Sequence, residues 1–149
     1  MEQTLILLKP DAVQRGLAGA ILARLEGRGL KIVAMRMLHM DQALARRHYA
    51  PHVDKPFYPG LERFITSGPI VAAVLEGPGA VDLVRTTMGA TAPAKAAPGT
   101  IRGDLAVDIG RNLIHGSDSP ESAKSEIALY FDAGQILSYE RSTDPWIVE

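Results

Sequence analysis

The chain has 149 residues, 46% of them hydrophobic, with a formal net charge of −1 and no cysteine. That length suits one ordinary globular domain with a real core, and the missing cysteines exclude disulfides and thiolate metal sites. The near-neutral charge gives no footprint for DNA or an acidic membrane, so neither is expected as a primary partner, and any anion must be met by a local cluster of cations.

The first segment, "TLILL" (4–8), is continuously apolar and reads as a strand buried on both faces, ended by Lys9-Pro10. An acidic residue stands where a signal peptide would carry lysines, and the apolar run is too short to span a bilayer, so a cytoplasmic location is expected. "LAGAILARLEGRG" reads as a helix with Leu17, Ile21 and Leu25 on one stripe and Gly27 and Gly29 as its stop. "LKIVAMRMLHM" (30–40) alternates with period two and reads as a second strand, with Val33, Met35 and Met37 on one face. Asp41 is expected to cap a following helix that Pro51 ends, and "KPFYPG" (55–60) reads as a turn. "IVAAVLE" (70–76) is another buried strand, followed by a helical stripe of Val81, Val84 and Met88. Residues 90–111 read as a long loop with at most one helical turn, a feature that usually marks function or disorder. After the apolar pair Leu113 and Ile114, the last strong helix opens with Ser119 as cap and Pro120 in its first turn. A short strand is expected at 136–139, with an irregular tail after it. Alternating strands and helices predict α/β layering, and pattern alone leans towards a parallel doubly wound sheet. No repeat or linker divides residues 1–149, which are expected to form one domain.

The chemistry centres on "NLIHGSDS" (112–119), which sets His115 at the lip of a strand with Gly116 beside it and a helix just beyond. A lone histidine at a strand end is more often structural than catalytic. Here, however, Ala123, Glu126, Ile127 and Tyr130 fall at i, i+3, i+4 and i+7, which puts a carboxylate on the stripe facing the core. Such a carboxylate needs a partner, because an unpaired one bears its full desolvation penalty. His115 and Ser117 are one candidate set of partners; Lys124 or a neighbouring helix is the other. Lys9 should emerge at the rim of the sheet, where it either serves the site or lies along the surface as lysines commonly do. Arg85 flanks a core stripe, while Thr91 and Arg102 sit in the long loop. Each is a weak signal alone. Together they are a point charge, guanidinium forks and a hydroxyl, the parts of a polyphosphate clamp. G-x-x-x-x-G-K-[ST] and G-x-S-x-G are both absent, and "GPGAVD" (77–82) has Asp82 where a dinucleotide fingerprint needs glycine. His48 and His52 are spaced i, i+4, but Pro51 lies between them, so no zinc site is expected there.

These blocks add up to a family resemblance. The chain resembles nucleoside diphosphate kinase through "TLILLKPDAVQRG", "HYAPHVDKPFYPGL", "SGPIVAAVLEGPGAV", "GATAPAKAAPGTIRGD" and "GRNLIHGSDSPESAKSEIALYF", which together run along nearly the whole chain. The resemblance implies an α+β fold, ferredoxin-like βαββαβ, with a four-stranded antiparallel sheet covered by helices. It implies ping-pong transfer of the γ-phosphate of a nucleoside triphosphate to a nucleoside diphosphate through a phosphohistidine on His115. In the same way it implies that Ser117 and Glu126 orient the ring and that Tyr49 borders it. Lys9 would contact the γ-phosphate, Arg85, Thr91 and Arg102 would clamp the β- and γ-phosphates, and Asn112 would bond a sugar hydroxyl. Phe57 and Ile109 would sandwich the base, a mode that discriminates poorly among bases because all share a stacking face. Mg2+ would arrive on the nucleotide, with Asp118 touching it through water and no dedicated protein metal site. The tail "DPWIVE" is similar to that of longer members, which implies a homo-oligomer, a hexamer in preference to a tetramer, with Glu149 near a neighbour's nucleotide. Tyr130 stands where many members carry tryptophan, and Ala94 and Ala97 make the clamp loop plainer. A catalytically idle relative would have lost His115, Lys9 or Arg102, and all three are present.

Overall fold

A computed structural model describes residues 1–149. Its frame is a four-stranded sheet of β1 (Glu2–Leu8), β2 (Lys31–His39), β3 (Pro69–Gly77) and β4 (Ile114–Gly116), in the order β2-β3-β1-β4. Every pairing is antiparallel, which replaces the parallel sheet that pattern alone favoured and agrees with the ferredoxin-like expectation. The pattern misled because β1 and β3 are central strands covered on both faces, so they lack the polar alternation that usually marks an antiparallel sheet.

Seven α-helices surround the sheet: α1 (Pro10–Gln14), α2 (Ala18–Gly27), α3 (Gln42–His48), α4 (Tyr58–Ile65), α5 (Ala80–Met88), α6 (Ile101–Leu105) and α7 (Pro120–Tyr130). On one face, Ile6 and Leu8 of β1 pack with Ile21, Leu25, Val84 and Met88 from α2 and α5. On the other, Leu5 and Leu7 pack with Ile65, Ile127 and Tyr130 from α4 and α7. Successive residues of β1 thus feed opposite cores, as a pleated strand requires.

Several local expectations are corrected. Val33 is buried, but Met35 and Met37 are 54% and 60% exposed. The register of β2 against β3 slips between Ile32 and Ala34, and this bulge turns the face that Val33 began away from the core. Asp41 caps α3, its Oδ1 accepting from Leu44 N at 2.8 Å, yet α3 ends at His48 and Pro51 lies within a separate 3₁₀ turn, Ala50–His52. Of the turn read at 55–60, only 55–57 is turn: Tyr58, Pro59 and Gly60 form the first turn of α4, where proline is tolerated because its missing N–H has no partner to lose. The long loop holds a 3₁₀ turn (Pro93–Lys95) and α6, whose cap is Thr100 accepting from Gly103 N at 3.0 Å. No strand forms at 136–139: Leu137 N donates one bond to Val33 O at the β2 bulge (2.9 Å), and a single bond beside a disrupted edge starts no ladder.

Candidate active site

β4 is short and lies on the edge of the sheet beside β1, with Leu7 opposite His115 and Leu8 and Ile6 opposite Ile114 and Gly116. His115 therefore projects to the face covered by α7, while Gly116 turns towards α5. A Cβ at Gly116 would stand 2.7 Å from Met88 Sδ and 3.1 Å from Val84 Cγ1, so glycine lets β4 sit against α5.

The entry to β4 is strained. Leu113, fully buried, has φ +74, a left-handed conformation unusual for a γ-branched residue. Two bonds hold it: its N–H donates to Asp11 Oδ2 (3.1 Å), and its carbonyl accepts from Lys9 N (2.9 Å). Asp11 follows Pro10 in the first turn of α1, so the β1–α1 corner fixes the approach to His115. Asp11 is a site residue absent from the expectations above; its one mark in the sequence is an acid just after a helix-opening proline.

α7 begins where expected, with Ser119 Oγ accepting from Ser122 N at 3.0 Å. Its inner face carries Ala123, Ile127 and Tyr130 into the core and aims Glu126 at the sheet edge. Glu126 Oε1 accepts from His115 Nε2 at 2.5 Å and from Ser117 Oγ at 3.3 Å. Of the two alternatives open for Glu126, the structure adopts the His115–Ser117 set. Ser117 is itself tied to β1, its N–H donating to Leu5 O (3.1 Å) and its Oγ accepting from Leu5 N (3.4 Å). A carboxylate only accepts, so the imidazole proton sits on Nε2 and the lone pair on Nδ1.

Beside His115 lies a polar cavity of about 280 Å³, walled by Tyr49, His52, Arg85, Asp118 and Glu126 among others. Burial, with Glu126 next, raises the Tyr49 phenol. The Ser122 hydroxyl, and more weakly Arg85, hold the Asp118 carboxyl below its usual range. His48 is also in this wall, its ring centroid 4.7 Å from that of His115. The i, i+4 spacing of His48 and His52 in the sequence carries no site here. The true association, with His115, crosses from α3 to β4 and leaves no spacing signature.

A second network lies behind β4. Lys9 Nζ donates to Asn112 Oδ1 (2.8 Å), Asn112 Nδ2 to Thr91 O (3.0 Å), and Arg102 Nε to Asn112 O (3.1 Å). Arg102 is buried and also bonds Gly89 O (3.2 Å) and Ile114 O (2.6 Å), so three of its five N–H donors support the backbone around β4 and two remain. Arg85 Nη1 donates to Gly116 O (3.3 Å). The cations repel one another. Burial, then Arg102, brings Lys9 down to about 8; burial, then Arg85, brings Arg102 down to about 10. Three cations in a partly desolvated corner, offset only in part by Asp11 beside Lys9 and Asp118 beside Arg85, create a local positive field in a chain of nearly neutral charge. Phe57 and Ile109 are 55% and 61% exposed on two separate loops and lie outside the cavity wall.

His48, His115 and Glu126 are the one set of potential metal ligands that cluster, their ligand atoms within 4.8 Å. Two imidazoles and one carboxylate do not fit magnesium, which takes oxygen ligands in octahedral geometry. The exposed Asp118 carboxylate fits contact with a cation that brings its own phosphate and water ligands.

The nucleoside diphosphate kinase family model matches residues 2–136. The chain belongs to the nucleoside diphosphate kinase family. It is 59% identical to the nucleoside diphosphate kinase of Thermomicrobium roseum over 99% of both chains, and 54% identical to that of Archaeoglobus fulgidus over 100% of this chain and 99% of the relative. Among solved structures it is similar to a halophilic nucleoside diphosphate kinase from Halobacterium salinarum in complex with CDP, with 51% identity, a TM-score of 0.96 and 99% of each chain covered. A family protein from Babesia bovis matches at 44% identity and TM-score 0.96, over 99% of this chain and 100% of that one. Its activity is therefore that of a nucleoside diphosphate kinase, a nucleotide-binding phosphotransferase of a family that generally requires a divalent cation. No helix is long and apolar enough to cross a membrane.

Proposed function

We propose that this chain, acting as one kinase domain over residues 1–149, transfers the γ-phosphate of a nucleoside triphosphate to a nucleoside diphosphate in two half-reactions through His115. The observation that carries the reading is the His115 Nε2–Glu126 bond of 2.5 Å, because it leaves the lone pair on Nδ1. In the first half-reaction Nδ1 attacks the γ-phosphorus, an N–P bond forms, and the bond to the β-phosphate oxygen breaks to release the diphosphate. In the second, a terminal oxygen of the acceptor diphosphate attacks the same phosphorus and the N–P bond breaks. The Nε2 proton stays in place throughout, and the positive charge that phosphorylation puts on the ring is met by Glu126. Covalent catalysis lets two bulky nucleotides use one site in turn.

The phosphoryl group passes through a loose transition state, so the protein chiefly positions and neutralises. Lys9, Arg85, Arg102 and the Thr91 hydroxyl take the phosphates, and the two free N–H groups of Arg102 suit that role. Tyr49 borders the ring, Ser117 helps hold Glu126, and Asn112 takes a sugar hydroxyl. Phe57 and Ile109, both apolar and exposed, stack the base from either side, which favours broad tolerance of base and sugar. Asp118 would meet, through water, a Mg2+ ion carried by the nucleotide phosphates, and that ion would supply charge neutralisation there. A relative solved with CDP supports a nucleotide at this fold. We further infer a cytoplasmic homo-oligomer, a hexamer in preference to a tetramer, in which exposed Trp146 and Val107 would be covered and Glu149 would near a neighbour's nucleotide. Sedimentation at several concentrations tests the assembly.

The chemistry is tested by brief incubation with γ-labelled ATP and magnesium, with His115→Gln alongside. Acid-labile, alkali-stable label on the wild type alone, discharged by any nucleoside diphosphate, is the expected result. Nucleotide bound by calorimetry without any label would indicate an idle binding module instead.

A further inference from the structure

Glu126 restrains His115 through one ring atom, and a single hydrogen bond still allows the imidazole to pivot. A second restraint comes from His48, the last residue of α3. Its ring meets that of His115 at 4.7 Å and 78°, an edge-to-face arrangement. His48 is in turn anchored: the Tyr130 hydroxyl lies 3.0 Å from His48 Nδ1, and their rings meet at 5.8 Å and 70°. Tyr130 is a core residue of α7, one helical turn beyond Glu126. Helix α7 therefore grips the His115 ring twice, directly through Glu126 and at one remove through Tyr130 and His48.

We propose that His48 is a positioning residue for His115, set by a hydrogen bond that the Tyr130 hydroxyl donates to His48 Nδ1. The inference rests on the phosphohistidine reading of His115. With Nδ1 accepting, His48 carries its proton on Nε2 and presents a neutral ring of fixed orientation. Burial, then the neighbouring His115 and Lys9, brings His48 down to about 3, so it is neutral around pH 7. Neutrality matters because a cationic His48 would compete with His115 for the Glu126 carboxylate. Rotation of the His115 ring would break the contact with His48 and the bond to Glu126 together, so Nδ1 stays aimed along one line. In-line transfer is sensitive to such aim, and a displacement of about 1 Å can cost about 100-fold in rate.

Tyr130→Phe removes the hydroxyl and keeps the ring. Single-turnover phosphorylation of His115 by γ-labelled ATP should slow about tenfold, a partial loss of that alignment, with nucleotide Kd within about twofold of the wild type. Because Tyr130 acts through His48, adding Tyr130→Phe to His48→Asn should slow the reaction no further than His48→Asn alone. Nitrogen-15 spectra of histidine-labelled enzyme should show His48 as the Nε2–H tautomer in the wild type and a mixture in Tyr130→Phe. A wild-type rate in Tyr130→Phe, additive losses in the double variant, or an Nδ1–H His48 would each overturn the positioning role. Absence of label on the wild type would instead refute the phosphohistidine reading, and this inference with it.

Discussion

Removal of the Glu126 carboxylate tests the centre of the site most directly. Glu126 Oε1 accepts two bonds, from His115 Nε2 at 2.5 Å and Ser117 Oγ at 3.3 Å, and touches neither the exposed Phe57 nor the basic network around Arg102. A bond between a charged acceptor and a partly buried donor contributes about 2 kcal/mol net. That bond strengthens as the ring becomes cationic, so most of it acts on the transition state, and its loss corresponds to about 30-fold in rate. Glu126→Ala should therefore phosphorylate His115 about 30-fold more slowly in rapid-quench single turnovers, with nucleotide affinity by calorimetry unchanged. Glu126→Gln keeps an acceptor and loses only the charge, so its defect should be smaller, about fivefold for the remaining ~1 kcal/mol. An unchanged rate in Glu126→Ala would refute the reasoning. So would a defect carried by weakened nucleotide binding, since the geometry gives Glu126 no part in holding nucleotide.

The cation cluster predicts a pH dependence. Lys9 is brought down to about 8 in the folded chain, so as pH rises from 8 towards its unfolded value it is neutral when folded and still charged when unfolded. The unfolded state then binds more protons, and this group makes the nucleotide-free protein more stable as pH rises through that window. Triphosphate affinity should move the other way, falling by up to about tenfold per unit above pH 8, because the free enzyme must first reprotonate Lys9. Calorimetric titrations from pH 7 to 9.5 check this, and Lys9→Met should flatten the slope; a flat wild-type profile would remove Lys9 from the clamp. Gly103→Ala should destabilise by about 3 kcal/mol or more, since its Cβ would lie 2.0 Å from the Ala97 carbonyl oxygen and backbone cannot swing aside. A urea midpoint equal to that of the wild type would contradict it. Asp11→Ala leaves the buried Leu113 N–H without its acceptor and should cost about 1–3 kcal/mol, read by the same denaturation; Asp11→Asn, which retains an acceptor, should lose less.

What the sequence made legible follows from which interactions are local. The caps at Asp41 and Ser119, the buried β1 and the α7 stripe that aims Glu126 inward depend on residues a few positions apart, so spacing records them. The fold came from resemblance, because sheet order depends on pairings such as Leu7 with His115, more than a hundred residues apart. The face of β2 was misread because a bulge shifts register without a glycine to mark it. The least legible features are the supports of His115 that lie far along the chain. Leu113 carries an unfavourable backbone conformation in a residue whose side chain gives no hint of it, held by Asp11 on a different element. His48 reaches His115 only because α3 ends where it does and Tyr130 lies beneath it. Both supports have a common physical basis. A nucleophile on a three-residue edge strand has little backbone pairing of its own, so its aim must be set by groups delivered from α1, α3 and α7. Substitutions at His48 and Glu126, which bond neither Asn112 nor Arg102, should therefore alter the rate of phosphoryl transfer while leaving the nucleotide clamp intact, whereas loss of Asp11, whose carboxylate favours the charged form of Lys9 and holds Leu113 between two of the Arg102 acceptors, should disturb both.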